Sequence, residues 1–579
     1  MRRAARLVPA LLACLLLAAV PGCNEQDAGF VLPADLVALL PAAPSALVAC
    51  PGLESMDRAL ADLDARAGAE PVLPPALREK LDLAALLHEA VPGLGAAADP
   101  TRPLALALVL PPPMVQSEPL VTLVVPLRDP TAAPPAPADV FRALVVNGRY
   151  AAYSTDPALA VSDSVPALAS DLRPGLLAGA MDLAGIVAQY RGLMEMGLGM
   201  MAMGAGQGAG AAEGATPAMS PEEAVAVAKM MRGLMDSVRR LDFALDLDEG
   251  TLALSSLLGL TADAPLSPAA DADQPDFARA AALTGLLPAD ADLLQAWAAN
   301  QGPEMAFMRD VYLAGARKEA ARLPAEQAAA YEAWFQGYLD LIPRLACPAA
   351  AAMDFGEDGL GLLAVLEPDD PAALADALAG QMDALTAAGT GLAFVPLEPT
   401  EVAGGTVRRW RVAFDDAALA AGLAPDAAAG RQTAQTLLAL GDLLPEVSLT
   451  TVGTHTVLGA TTGDGDFARL LERVAAGGGK PDPRVAAAAK AAGPDCRQVV
   501  VGDAMPVANW LIGLAAELEA DGLDELPHLE QPVPFTSTAT MGAAGYGFTV
   551  TTDVPAIRAA VAAVEAMVAA QQDTLPGSK

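Results

Sequence analysis

Residues 32–36 have the sequence LPADL, and residues 287–291 have the sequence LPADA. Each segment precedes a stretch rich in Ala and Leu with helical character. An apolar run and an acidic Asp-Pro turn then follow in both places, 122–127 before Asp129-Pro130 and 362–366 before Asp370-Pro371. This recurrence predicts that the chain contains two related units.

The order of elements stays parallel further along the chain. The spacing predicts helices over 138–144 and 372–378, and strands over 150–155 and 455–462. Short apolar runs that each precede a predicted helix follow at 176–181 and 499–505. Each half then ends with a predicted pair of strands, 243–247 with 251–257 in the first and 535–541 with 546–551 in the second.

These patterns predict an α+β fold of duplicated units, each an antiparallel sheet covered by amphipathic helices. We expect the strands to alternate in character because one face of each sheet meets water. The predicted units span residues 31–280 and 281–573, and residues 574–579 are expected to be a disordered tail.

One stretch departs from the pattern of the first unit. Residues 192–219 are rich in Gly, Ala and Met, which predicts a flexible or marginally helical insertion. The sequence Ser220-Pro221-Glu222-Glu223 that follows has the spacing of a capping box and predicts the start of the next helix.

The beginning of the chain has the pattern of a secretory signal. Residues 1–6 are MRRAAR, residues 7–20 are apolar, and Pro21-Gly22-Cys23 follows, which resembles the lipobox of bacterial lipoproteins. Residues 1–22 are therefore predicted to be a signal peptide. Cys23 is then the lipid-bearing N-terminus, and residues 23–30 comprise this Cys and a short tether. An uncleaved anchor is the alternative, although the apolar segment is short for a span of about 20 residues.

The location follows from this prediction. We expect a bacterial cell-envelope protein that is anchored to a membrane through its lipid and faces the periplasm or the exterior. Asn24, beside the lipidated Cys, is not the Asp often linked with retention in the inner membrane, which favours the outer membrane.

Charge and cysteine content limit the partners and the covalent structure. The net charge of −35 argues against nucleic acid and anionic headgroups as partners. Cys50, Cys347 and Cys496 are an odd, widely spaced set, so either one disulfide forms or all three are buried as small apolar residues.

The sequence predicts no catalytic residue, metal site or cofactor, and hence no enzyme. His88, His455 and His528 lie far apart and lack zinc-ligand spacing. No nucleophile elbow is present, and Pro481 follows the GGGK of residues 477–480, where a P-loop needs Ser or Thr. The acidic runs 246–250 and 464–466 lack the spacing of a calcium-binding loop and indicate solvated turns.

The methionines are the most unusual feature. Two groups are close in sequence: Met194, Met196, Met200, Met201 and Met203, then Met230, Met231 and Met235. They could form a pliable contact for an apolar ligand or a partner protein, pack within a helical hairpin, or hold a cuprous ion.

The predicted mature start, residues 31–35 followed by a strand-like 45–49 and a helix from about Leu53, resembles a group of uncharacterised bacterial envelope lipoproteins. Proteins of that group contain duplicated α+β units and have no established activity. The resemblance implies the location and the architecture, and it assigns no role to any residue.

The function predicted from the sequence is a non-enzymatic, lipid-anchored envelope protein that acts as a binding or scaffolding module. One alternative is a carrier of a lipid or another apolar ligand in a cavity between sheet and helices. The other is a hydrolase without a recognisable motif.

Overall fold

A computed structural model of the chain describes most of its residues. They are 30–67, 82–113, 118–207, 219–248, 250–261, 264, 274–321, 323–356, 359–389, 391–402, 405–414, 446–460, 464–477, 480–517, 531–542, 545–553, 556 and 558. The predicted signal peptide, Cys23, His528 and the predicted tail lie outside these residues.

Thirteen α-helices lie within the described ranges. They are α1 (Ala34–Val37), α2 (Leu53–Ala67), α3 (Leu83–Ala90), α4 (Leu94–Ala97), α5 (Leu183–Gln207), α6 (Pro221–Ser237), α7 (Phe277–Leu283), α8 (Gly302–Ala320), α9 (Ala325–Leu341), α10 (Pro371–Ala388), α11 (Asp464–Ala476), α12 (Pro483–Ala492) and α13 (Ala504–Glu517).

The same ranges contain nineteen strands. They are β1 (Ala46–Cys50), β2 (Leu104–Val109), β3 (Leu120–Pro126), β4 (Ala143–Asn147), β5 (Tyr150–Ser154), β6 (Leu177–Met181), β7 (Val238–Asp248), β8 (Thr251–Leu260), β9 (Leu293–Trp297), β10 (Ala349–Gly356), β11 (Gly359–Leu366), β12 (Leu392–Pro396), β13 (Thr400–Val402), β14 (Gly405–Phe414), β15 (Glu446–Val452), β16 (His455–Ala460), β17 (Cys496–Asp503), β18 (Pro534–Gly542) and β19 (Gly545–Asp553). The fold is α+β, as the sequence predicted.

By their contacts the residues group into two compact units. The first comprises the described parts of 1–196, 235–267 and 539–561, and the second those of 197–234, 268–538 and 562–579. The boundaries 31–280 and 281–573 stay a prediction from the sequence.

The first unit contains an antiparallel sheet. Its strands pair in the order β4-β5-β3-β2-β1-β6-β7-β8-β19. The β7–β8 hairpin turns at Gly250, which has a φ of 84° that L residues with a side chain rarely adopt. The described residues of the acidic run, 246–248 and Gly250, therefore belong to this hairpin.

The second unit contains another antiparallel sheet, in the order β17-β9-β10-β11-β16-β15-β14-β12. Six strands taken in chain order have the same spatial arrangement in both sheets, sixth-first-second-third-fifth-fourth. They are β1 to β6 in the first unit and β9, β10, β11, β15, β16 and β17 in the second. The recurrence noticed in sequence thus corresponds to a recurrence of strand order.

Central strands are buried on both faces, which corrects the expectation that one face meets water. Alternate residues of β10 enter two different apolar clusters: Ala350 and Ala352 pack with α7, α11 and α12, whereas Ala349 and Ala351 pack with α9 and α10. In the first unit β5 divides in the same way. Helices on both faces explain why residues 349–352 of β10 are all small and apolar.

The helix expected over 138–144 was wrong. Residues 138–140 form a turn, and Ala143 already begins β4. Three prolines among residues 134–137 cannot supply backbone donors to a helix start, and Val145-Val146 favours a strand. The corresponding 372–378 is helical and lies in α10.

Within the described residues, no helix is both long enough and apolar enough to cross a membrane.

Candidate functional site: the Leu/Met stripe of helix α5

The first half of α5 is fixed by polar contacts. The carboxylate of Asp182 accepts a hydrogen bond from the backbone N–H of Gly185 at 2.8 Å, which caps the helix start. Gln189 Nε2 donates to the carbonyl oxygens of Leu110 and Pro111 at 3.1 and 2.7 Å, and Tyr190 also donates to Pro111. These bonds hold α5 against the end of strand β2.

The second half of α5 presents an apolar face to solvent. Leu193, Met196, Met200 and Met203 are 44%, 54%, 58% and 63% exposed. Steps of three, four and three residues place them along one side of a helix. We call these four residues the Leu/Met stripe. Leu193 belongs to it, although the contact predicted from the sequence comprised methionines alone.

The other predicted methionines are placed differently. Met194 and Met201 on α5, and Met230 and Met231 on α6, are half-buried, and Met235 is buried at 8% exposure. Of the eight, Met196, Met200 and Met203 form the exposed face. The predicted contact with a ligand or partner, and the cuprous alternative, stay predictions.

The helix backbone is also accessible beside the stripe. After Glu195, α5 has no charged residue up to its end at Gln207. A Cβ added at Gly192, Gly197 or Gly199 would meet no atom within 4 Å. Another helix could therefore approach this surface closely, as small residues permit in helix pairs.

Helix α6, in contrast, has a structural role. The predicted capping box is confirmed: the hydroxyl of Ser220 accepts from the N–H of Glu223 at 3.1 Å, and the carboxylate of Glu223 accepts from the N–H of Ser220 at 3.2 Å. Lys229 pairs with Asp310 of α8 at 2.6 Å, and Gly233 lies directly against the ring of Phe307. These contacts hold α6 against α8 and leave the stripe as the better contact surface.

The weak motifs have local structural roles. His88 Nδ1 accepts a hydrogen bond from the N–H of Gly93 at 3.1 Å, just beyond the end of α3. Gly477, with a φ of 74°, ends α11, and Asp464 begins that helix. His455 starts β16 in the hairpin with β15. Among the described residues, no three His, Cys, Asp or Glu side chains are grouped so as to hold a metal ion.

All three cysteines after residue 23 are free and buried. Burial raises the pKa of the Cys347 and Cys496 thiols to about 11, and it also raises the pKa of Cys50. The thiols are therefore protonated near neutral pH and serve as small apolar side chains.

Comparison with known proteins identifies no family for this chain. No protein-family model matches the chain, and no curated protein matches its sequence. Among solved structures, the chain is similar to one titled "Structure of crystal form III of TP0453", with a TM-score of 0.22 and 10% identity, over 48% of this chain and 97% of that chain. So weak a likeness identifies neither fold nor function.

Proposed function

We propose that this protein is a lipid-anchored module of the bacterial envelope that binds a basic, amphipathic helix of another protein on the Leu/Met stripe. The observation that carries the proposal is the stripe itself, four exposed apolar side chains on one side of a helical segment, 193–203, whose one charged residue is Glu195. Exposed apolar surface of this kind marks contact sites in folded proteins.

A helix fits the spacing of the stripe. Side chains that recur at three and four residues accept the apolar residues of a second helix, which pack between them. Methionine side chains are unbranched and adjust to the shape of the partner. The open glycines at 192, 197 and 199 allow the two backbones to come close.

Charge favours a basic protein segment over a membrane surface. The chain carries 70 acidic and 35 basic residues, so it repels anionic headgroups and attracts cationic segments. Helices that lie on membranes usually carry several Lys or Arg on the polar face. The single Arg of α5, Arg191, is already paired with Glu195 and Asp236.

The anchor is part of the proposal. A lipid on Cys23 would hold the module at a membrane, the outer membrane being favoured, on its periplasmic or external side. The proposal assigns no chemical reaction to the chain, and turnover of a substrate in a broad hydrolase panel would contradict it.

A peptide-binding experiment tests the stripe. The mature chain without its lipid, residues 24–579, is titrated against a labelled Leu/Lys amphipathic helix of about five turns, and fluorescence anisotropy is measured. A peptide of the same composition in scrambled order reports binding by charge alone. We expect the amphipathic peptide to bind and the scrambled peptide to bind at least about tenfold more weakly.

Variants locate the binding surface. Met196→Glu and Met200→Glu should each weaken binding at least about tenfold, because they place a charge in the apolar contact. Val165→Glu is the matched control, since Val165 is 66% exposed and lies outside α5. Equal binding of both peptides, or equal effects of the three variants, would overturn the proposal.

A further inference from the structure

A second surface, independent of the stripe, lies in the second unit. A cleft of about 620 Å³ lies between α7 and α12 where β17 begins. Its volume is within the range of small-molecule sites, about 300–1,000 Å³.

The apolar part of the cleft lining consists largely of small side chains. Ala486 and Ala489 lie one turn apart on α12, and Ala281 faces the cleft from α7. Phe277 and Cys496, 8% and 2% exposed, complete this surface. The small alanine side chains leave the space open, and the protonated thiol adds no charge to it.

Two cations line the same cleft, Lys490 in the last turn of α12 and Arg497 near the start of β17. Arg497 Nη1 donates to the carbonyl oxygens of Pro494 and Cys496, at 3.2 and 3.0 Å. Its Nε–H is buried and has no acceptor among the described residues. A buried donor without an acceptor is unfavourable, so this guanidinium keeps unused capacity for an acceptor.

The charge of the lining is opposite to that of the chain. Overall, acidic residues outnumber basic ones by 70 to 35, but Asp276 is the only acid among the residues that line this cleft. Its Oδ1 already accepts the N–H of Ala278 at 2.8 Å as the cap of α7. With Lys490 and Arg497 against this one carboxylate, the lining carries a net positive charge, which favours an anion.

We propose that this cleft binds a small monocarboxylate with an aliphatic tail. The carboxylate contacts Arg497 and Lys490, and the tail lies over Ala281, Ala486 and Ala489. The site differs from the Leu/Met stripe in its residues and in its ligand, so it stands or falls separately from the helix-binding function.

Calorimetric titration of residues 24–579 tests the ligand class, with octanoate as the probe and 1-octanol and octylamine as neutral and cationic counterparts. We expect octanoate to bind at least about tenfold more tightly than octanol, because its charge-assisted hydrogen bonds are lost in the alcohol. Octylamine should not bind. Equal affinity for octanoate and octanol, or no binding of octanoate, would overturn the proposal.

Variants test the geometry. Arg497→Met and Lys490→Glu should each weaken octanoate binding by about tenfold or more. Ala489→Phe should abolish octanoate binding, because the larger side chain would fill the cleft. Arg484→Met is the control, because Arg484 lies on the same helix, pairs with Asp482 and does not line the cleft.

One variant needs a folding check. Arg497 also holds the backbone at Pro494, so Arg497→Met is compared with wild type by thermal unfolding. Lys490→Glu and Ala489→Phe change an exposed and a half-buried side chain and decide the question if Arg497→Met does not fold. Unchanged octanoate affinity in both would refute the assignment.

Discussion

In strand β7, the Nε–H of Arg240 donates a hydrogen bond to Asp242 Oδ1 at 2.7 Å. Residues two apart in a strand lie on the same face, so this pair is built into the strand geometry. Arg240 also donates to the carbonyl oxygens of Ala167 and Ser170, at 3.2 and 3.3 Å. A single guanidinium thus neutralises a buried carboxylate and ties the segment 167–170 to the sheet.

Replacing Arg240 by Met leaves the carboxylate of Asp242, 8% exposed, without its bonded cation. We expect the free energy of unfolding of the first unit to fall by about 3 kcal/mol near neutral pH. Urea titration with a probe in that unit measures this change. Arg240→Met/Asp242→Asn should recover most of the loss, and an equally unstable double variant would contradict the charge-based explanation.

The loss in Arg240→Met should also depend on pH. Burial raises the pKa of Asp242, and Arg240 opposes that rise. Without Arg240 the folded-state pKa is higher still, so protonation stabilises the fold in acid and this contribution is lost as pH rises through the folded-state pKa. The deficit should therefore be smaller at about pH 5 than at about pH 7.5, and a deficit independent of pH would exclude this cause.

Two glycine substitutions should have opposite effects. A Cβ at Gly233 would lie 2.5 Å from Cε2 of Phe307, so Gly233→Ala should destabilise the second unit by about 1–3 kcal/mol. Gly197, on exposed α5, has open space, and Gly197→Ala should add up to about 1 kcal/mol to helix stability. Thermal unfolding compares the two, and effects of the same sign would contradict the packing described.

Thiol reactivity should be low in the native protein. With a pKa of about 11, on the order of one in a thousand of the Cys347 and Cys496 thiols is ionised at about pH 8. A colorimetric disulfide reagent should therefore react very slowly with residues 24–579 and rapidly with three thiols after unfolding in urea. Rapid reaction of a native thiol would show that burial does not protect it.

The proposed lipidation of Cys23 gives a prediction for the full-length chain. Cells fed an alkyne fatty acid should label the wild-type chain and the Cys14→Ala variant, and Cys23→Ala should be unlabelled and lost from the membrane fraction. Cys14 lies within the predicted signal and serves as the matched control. Labelling of Cys23→Ala would disprove this attachment site.

Local sequence predicted much of the secondary structure. The strands predicted over 150–155 and 243–247 correspond to β5 and β7, and the helix expected from about Leu53 begins there. The Ser220–Glu223 capping box formed because its hydrogen bonds join residues three apart. Features of this kind depend on neighbours in sequence, which a periodic pattern records.

Other features depend on residues that are distant in sequence. The cleft brings Phe277 beside Ala489 and Arg497, and nothing in the local sequence of any of them indicates a shared surface. The burial of β10 on both faces results from helices that lie on either side of the sheet. The α5 stripe lies between these cases: its spacing was visible in sequence, but its exposure required the surrounding structure.

Strand β19 pairs with β8 along its whole length, from Gly545 opposite Gly259 to Asp553 opposite Thr251. These two strands lie about half the chain length apart in sequence. The first sheet therefore stays incomplete while the second unit is synthesised. During that time β8 has an open edge, the kind of surface that recruits strands from other chains. Correct pairing of β8 therefore depends on keeping this edge covered until β19 is available.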